Sequence, residues 1–287
     1  MAKRSHAAPL LIFGCVLFGL GGLIVKVVPV GSYAIAFWRL AVAALIFLIL
    51  AKALRHPFPQ SPRAIGCALL SGLFLAVDLS LWHESVHAVG PGISTLLNSL
   101  QIFFLAAIGY LYYGERLRPL QLISLALALA GVALISSPEL GQPKGSWGII
   151  SGTISGLLLA LAMLTVRKAQ QIEKTSLFPL MMWLSLGGAL TLVLPALLLN
   201  WESLYPTTAR DIGLVLIYGA VMQCVAWGAI TYAVPQLPLN LTGLLLLMEP
   251  VAALFIDYFL LDKSINGAQW AGAALTLAAI YLGSLRR

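Results

Sequence analysis

Charged residues are scarce in this chain, and their scarcity argues against a water-soluble fold. Only 9% of the 287 residues are Asp, Glu, Lys or Arg, whereas 60% are hydrophobic. The mean hydropathy of +0.96 is typical of proteins that lie mostly in lipid. Cysteine is rare as well: Cys15, Cys67 and Cys224 stand singly in apolar runs. They predict neither a disulfide framework nor a cysteine metal site.

Long polar segments are also missing, which leaves no room for a soluble domain. An α-helix needs roughly 20 apolar residues to cross the hydrocarbon core. The first apolar run lacks a clean signal-peptide cleavage site and is interpreted as a retained helix. We therefore expect an all-α membrane protein with ten transmembrane helices. They are predicted at 8–28, 31–52, 63–82, 88–112, 118–136, 146–168, 175–199, 207–233, 239–261 and 265–284.

The formal net charge of +7 could suggest a nucleic-acid partner, but its placement indicates a membrane topology. With a cytoplasmic N-terminus, twelve of the 17 Lys and Arg residues fall in inner loops and ends, and three in outer loops. Basic residues concentrate on the cytoplasmic side of membrane proteins. This bias predicts that both termini are cytoplasmic and that the partner is the lipid bilayer, with no nucleic acid.

An internal repeat divides the chain. Residues 65–115 match residues 212–262 at a shift of 147 positions, with nine identities. We predict a first five-helix repeat over 1–137 and a second over 138–287. Because five crossings separate equivalent helices, the second copy is inverted relative to the first, as in many transporters.

Glycines spaced by four indicate a close helix contact. Gly148, Gly152 and Gly156 form one strip on predicted helix 6, and helix 1 is also rich in glycine. Small residues let helices approach closely in lipid. We expect both helices to pack near the interface of the repeats or to move there, with ordinary bundle packing as the alternative.

Four ionisable residues inside predicted spans are candidates for function. An ionised group costs at least about 2.5–3.5 kcal/mol at mid-bilayer, so it usually faces a cavity or a partner. Arg39, Asp78, Glu249 and Asp257 are therefore possible coupling or intramembrane charges. Asp78 and Asp257 lie near predicted outer helix ends, where interfacial water is an alternative. Glu249 is the deepest carboxylate.

Predicted helix 4 carries a polar face. Thr95, Asn98 and Gln101 recur every three residues. Gln101 and Glu249 lie at nearly equivalent depths in the two repeats, so both are expected near the centre of the molecule, where transporter sites lie. The alternative is a hydrogen-bonded clasp between helices.

Aromatic residues supply a possible second part of the site. Gln223 and Trp227 lie four apart on predicted helix 8, and Trp82 is one turn beyond Asp78 on the equivalent helix 3. The tryptophans could equally belong to the interfacial aromatic belt or to bundle packing.

The stretch His83-Glu84-Ser85-Val86-His87 matches the H-E-x-x-H pattern of zinc proteases. We expect it at the outer end of helix 3, where helical spacing of the two histidines is not assured. No third-ligand motif follows, although catalytic zinc needs three protein ligands. We therefore predict no metal, no cofactor and no enzyme activity, and keep an intramembrane zinc protease as the alternative.

The chain resembles the drug/metabolite transporter superfamily, specifically its ten-helix EamA type. The resemblance rests on Leu246 to Pro250 (LLMEP) with the apolar run to Asp262, on Ser94 to Leu117 followed by Gln121, and on Trp38-Arg39. Asp262 stands where the family usually has glutamate. No proline follows Gln101, which predicts a straighter helix 4 than helix 9.

The resemblance implies export of small metabolites by alternating access, from a multi-pass protein of the bacterial inner (plasma) membrane. Aromatic amino acid exporters are the expected nearest relatives. Apolar amino acids suit a cavity that sets polar groups beside aromatic and apolar walls, including Phe18 and Met163. A sugar-phosphate or drug transporter of the same fold is an alternative, although only Arg39 offers a deep cation for a phosphate. A structural or insertase-like membrane protein without a substrate is another.

Overall fold

A computed structural model of the chain describes residues 6–89, 91–114, 119–135, 137, 145–260 and 264–284. Within these ranges the protein is helical and contains no β-strand. Fourteen α-helices are present, with a long π-helical segment at Tyr218–Trp227 and 3₁₀ turns at Trp201–Ser203 and Val234–Gln236. The α-helices are α1 (Ala7–Phe18), α2 (Gly21–Val27), α3 (Ser32–Ala53), α4 (Pro62–Val89), α5 (Pro91–Asn98), α6 (Gln101–Tyr113), α7 (Pro119–Ile135), α8 (Gly145–Ile172), α9 (Leu177–Leu199), α10 (Ala209–Ile217), α11 (Gly228–Ala233), α12 (Leu239–Leu246), α13 (Met248–Leu260) and α14 (Gly267–Ser284).

Several helices are long and apolar enough to span a bilayer, as the hydropathy predicts. Five of the described helical stretches meet this standard, and shorter apolar helices accompany them. The five are Ser32–Ala53, Pro62–Val89, Ser146–Ile172, Leu177–Leu199 and Ala209–Gln236. The protein is therefore an α-helical membrane protein.

The boundaries differ from the sequence prediction in one place that matters for the site. Predicted helix 3 was expected to end near residue 82, but α4 continues to Val89. Asp78 consequently lies well inside the helix and only 3% of it is exposed. The expectation that interfacial water could solvate this carboxylate was wrong.

The glycine strip of α8 packs against the first half of the chain, as expected for an interface between the halves. A Cβ at Gly152 would lie 2.7 Å from Ser85 Oγ, and one at Gly156 would lie 2.8 Å from the Asn98 carbonyl oxygen. The equivalent contact joins α1 to the second half, because a Cβ at Gly14 would lie 2.7 Å from the Ala226 carbonyl oxygen. Close approach at these glycines brings both halves together around one centre.

Two pairs of glycines have the same surroundings in both halves of the chain. Gly72 of α4 lies against the backbone of Leu184, and Gly219, its equivalent at the 147 shift, lies against Val42. Gly66 and its equivalent Gly213 have open space instead of a neighbour. At these positions the packing is therefore alike in both halves: close contact at one pair of glycines and open space at the other.

Candidate functional site

A small cavity lies where the two halves meet. Helices from both halves contribute side chains to it, and about 20 Å³ is open to the centre of a water molecule, which is room for about one water. A larger occupant would require the helices or side chains to move apart. The lining residues are Phe18, Asp78, Leu79, Trp82, Asn98, Gln101, Leu159, Trp227, Ile230, Leu246 and Glu249.

One wall of the cavity is a hydrogen-bonded carboxylate. The Asn98 amide nitrogen donates to Asp78 Oδ1 at 3.1 Å and to Ser155 Oγ at 2.9 Å. Ser155 is fully buried and donates to the Gly152 carbonyl oxygen at 2.8 Å. Asn98 therefore orients Asp78 and connects it to Ser155 of α8, in the other half of the chain.

Breaks in two helices place Gln101 and Glu249 at equivalent structural positions. Gln101 is the first residue of α6, which follows a tight turn after α5. Glu249 lies in the first turn of α13, which follows a break at Leu247. Gln101 and Glu249 thus each lie at the start of a helix that follows a break, at nearly equivalent places in the two halves.

The expectation of a straighter helix 4 was wrong. The Pro250 ring removes a backbone donor in α13 and accounts for the break at that end. The first half breaks without a proline, and Ser99 Oγ donates to the Thr95 carbonyl oxygen at 2.7 Å beside that break. Serine bonded back to its own helix competes with the helical hydrogen bonds and bends the chain.

Arg39 lies beside this cavity, outside its lining, within a hydrogen-bonded group of its own. It is 1% exposed; Nε donates to Gln223 Oε1 at 2.9 Å and Nη1 donates to the Tyr218 hydroxyl at 3.0 Å. Its guanidinium also lies 4.7 Å from the centre of the Phe18 ring. Asp78 and Glu249 are both near enough to interact with this charge electrostatically.

The H-E-x-x-H stretch lies in the last two turns of α4, at a helix end as expected, and its two histidines have helical spacing, which the sequence did not assure. Both ring nitrogens of His83 nevertheless have protein partners: Nδ1 lies 3.0 Å from the Ser32 carbonyl oxygen and Nε2 lies 3.4 Å from the Tyr218 hydroxyl. These contacts form a chain: Arg39 donates to the Tyr218 hydroxyl, and the hydroxyl donates to His83 Nε2. A His83 protonated on Nδ1 then donates to the Ser32 carbonyl oxygen. Among the residues that the structure describes, no three His, Cys, Asp or Glu side chains are grouped to hold a metal ion.

Most of the predicted site residues lie around the cavity, and a few lie elsewhere. Phe18, Trp82 and Trp227 line the cavity with Asn98, Gln101, Asp78 and Glu249. Gln223 holds Arg39, and Met163 is fully buried in the apolar core. Thr95 contributes its carbonyl oxygen to the turn after α5. The Asp257 side chain lies outside the part that is described. Their roles in binding stay predictions.

Tyr218 and the π-helical segment were missed from sequence. Tyr218 and Gln223 are five residues apart, which an α-helix would separate by about 140° around its axis. The i→i+5 pattern of a π-helix brings such residues close to one face, so both reach the same guanidinium. Hydropathy patterns carry no signal for this change. Ser155 was detectable, because it adjoins the glycine strip.

An α-helical membrane bundle with a polar cavity at its centre, lined by side chains from both halves, is typical of small-molecule transporters. The sequence model of the family described as "EamA-like transporter family" matches this chain twice, over residues 6–137 and 146–285. Because these matches span nearly the whole sequence, the chain belongs to the EamA-like transporter family and is a membrane transporter.

Curated relatives agree with this assignment. The chain is 27% identical to a Salmonella typhimurium protein named "Probable amino-acid metabolite efflux pump", over 98% of this chain and 95% of that protein. It is 26% identical to the protein RarD of Streptomyces exfoliatus, over 95% of this chain and 87% of that protein. A crystal structure at 15% identity superposes with a TM-score of 0.79, covering 99% of this chain and 97% of its own, and shows the shared fold.

Proposed function

We propose that the protein exports amino acids, including aromatic or other apolar ones, by alternating access through the central cavity. The observation that carries this proposal is the composition of the cavity. Asp78 and Glu249 stand beside Phe18, Trp82 and Trp227. A carboxylate suits the ammonium group of an amino acid, and aromatic rings suit its apolar side chain.

Alternating access requires two halves that can rock about the cavity, and we propose two inverted repeats of five spans each, meeting between residues 137 and 138. In this scheme α1–α2, α5–α6 and α12–α13 are single broken spans, and the stretch from α10 to the 3₁₀ turn at Val234–Gln236 is one continuous span. Broken helices at the bilayer midplane are common at transporter sites. The glycine contacts that repeat at a shift of 147 support this arrangement.

We further propose cytoplasmic termini in the bacterial inner membrane from the charge bias, and contacts between loops support the division of the loops between two faces. Glu173 accepts from the backbone N–H groups of Gln60 and Ser61, and both segments are inner loops in this topology. Asn200 Oδ1 accepts from Tyr33 N at 2.9 Å, and both lie on the outer side. Each contact joins segments that the charge bias assigns to the same face.

The proposal is tested by a ligand screen on the purified protein followed by flux measurements in liposomes. A ligand at 100 times its Kd stabilises a protein by about 2.7 kcal/mol, so binding amino acids should raise the Tm visibly. We expect stabilisation by L-phenylalanine and L-leucine, and flux of the same compounds with and without a pH gradient. A flat response to amino acids, or a response to sugar phosphates or drugs instead, contradicts the substrate assignment.

A further inference from the structure

Three buried hydrogen-bond donors near the cavity lack an acceptor. Arg39 Nη2, Gln223 Nε2 and Trp227 Nε1 have no hydrogen-bond partner in the described part of the protein. Their residues are 1%, 0% and 2% exposed, respectively. Buried polar atoms are nearly always paired, and an unpaired one is costly. Three unpaired donors in one neighbourhood indicate a missing acceptor.

The orientation of these donors is fixed by the bonds that their neighbours make. Gln223 Oε1 accepts from Arg39 Nε, which leaves the Gln223 amide nitrogen as the free atom. The Tyr218 hydroxyl accepts a hydrogen bond from Nη1 of the same guanidinium, so Nη2 is the nitrogen left without an acceptor. Trp227 follows Gln223 by four residues at the end of the π-helical segment. Arg39 and Gln223 thus form a preorganised pair of donors, and Trp227 lies about one turn further along the π-helix.

Phe18 lies between the Arg39 guanidinium and the cavity, whereas Trp227 lines the cavity itself. The ring of Phe18 lies 4.7 Å from the Arg39 guanidinium carbon and 5.7 Å from the Trp227 ring, and Phe18 also lines the cavity. It is the last residue of α1, and the chain resumes a helix only at Gly21. A change at this helix break would move the ring and expose the donors.

We propose that Arg39, Gln223 and Trp227 form an anion subsite that takes the carboxylate of the substrate when the Phe18 ring moves aside. The proposal rests on the proposed function. A carboxylate only accepts hydrogen bonds, with about four lone-pair positions, and a guanidinium fits it well. Asp78 and Glu249 then remain for the ammonium group. The substrate is held at both charged ends across the cavity, with Phe18 as the gate between them.

The test compares an acid with its amide on the purified protein. L-phenylalanine and L-phenylalaninamide share the ring and the ammonium group, and only the acid carries a carboxylate. Wild-type protein should bind the acid more tightly. Arg39→Gln should weaken binding of the acid about ten- to a hundredfold, the usual effect of losing a charge-assisted bond. It should change binding of the amide less than about threefold.

A second variant guards against a folding defect. Phe18→Ala removes the gate and should raise affinity for the acid several-fold relative to the amide, because the binding-competent state is then more populated. A gain of this kind cannot come from misfolding. Gln101→Leu is the matched control, since Gln101 lines the same cavity outside the donor group; it should affect acid and amide equally.

The outcomes separate this proposal from the broader one. If wild-type protein binds neither compound, the amino acid assignment fails and the subsite fails with it. If wild-type protein binds the acid but Arg39→Gln weakens acid and amide alike, and Phe18→Ala shows no gain for the acid, only the subsite is rejected. A changed ratio in both variants, with an unchanged ratio in Gln101→Leu, supports it.

Discussion

At the scale of single residues, the centre of the protein combines two carboxylates with one guanidinium. Asp78 is bonded to Asn98, and Arg39 is bonded to Gln223 and Tyr218. Glu249, half-buried at the start of α13, faces the cavity directly. It is therefore the carboxylate best placed to contact a substrate or to exchange a proton with the cavity.

We expect Glu249→Gln to reduce amino acid flux in liposomes at least about tenfold, because the variant loses a charge-assisted bond to the ammonium group. If Glu249 also carries a proton, stimulation by a pH gradient disappears in the variant. The exposed Glu202 provides a control with the same chemical change, and Glu202→Gln should transport normally. Unchanged transport by Glu249→Gln would remove this residue from the mechanism.

At the scale of helices, small residues determine which surfaces can touch. Lipid offers no hydrophobic drive for helix association, so the gain comes from close packing. Gly72 of α4 lies directly on the backbone of α9 at Leu184 and Gly188. Gly66, on the same helix, faces open space. The two glycines provide a matched pair for testing the contact.

Gly72→Ala should lower the free energy of unfolding by about 1–3 kcal/mol, because the new methyl group would overlap backbone atoms that cannot turn aside. Gly66→Ala should instead stabilise α4 by up to about 1 kcal/mol, since alanine is the better helix former. The Tm of each purified variant measures both effects. Equal shifts in the two variants would show that α4 and α9 do not meet as described.

At the scale of the whole molecule, Glu173 joins the two halves outside the membrane. It follows α8 and accepts from Gln60 N at 3.0 Å and Ser61 N at 2.7 Å, just before α4 begins at Pro62. These two backbone bonds lower the pKa of the Glu173 carboxyl below its usual value. The carboxylate caps the start of a helix that belongs to the other half.

The lowered pKa of Glu173 determines how its contribution to stability changes with pH. The stabilisation is complete above the unfolded-state pKa of about 4.3 and is lost as the pH falls through the lower pKa of the folded state. We expect Glu173→Gln to lower the Tm at neutral pH and to reduce the fall in Tm between about pH 5 and pH 3. The Tm of both proteins, measured by thermal unfolding across this pH range, tests this expectation. A Tm difference that does not shrink at low pH would contradict the assigned bond.

Much of the fold could be predicted from the sequence, because lipid leaves few options for a chain. The spans follow from apolar length, and the glycine strip of α8 identified the surface that packs on the other half. Asn98, Gln101 and Glu249 were detectable as polar groups in apolar helices, and the structure brings them to one cavity. Hydrogen bonds between helices carried no such signal, so Tyr218 was missed and His83 was not recognised as its partner.

The sequence by itself determined that the chain is an α-helical membrane protein built as a repeat. In hydrocarbon every backbone group must be paired within its own helix, and composition alone reveals that requirement. Only the tertiary structure decided the geometry of the centre: the burial of Asp78 beside Asn98, the breaks beside Gln101 and Glu249, and the π-helical turn that brings Tyr218 and Gln223 to Arg39. These features depend on contacts between distant segments, which local patterns do not encode.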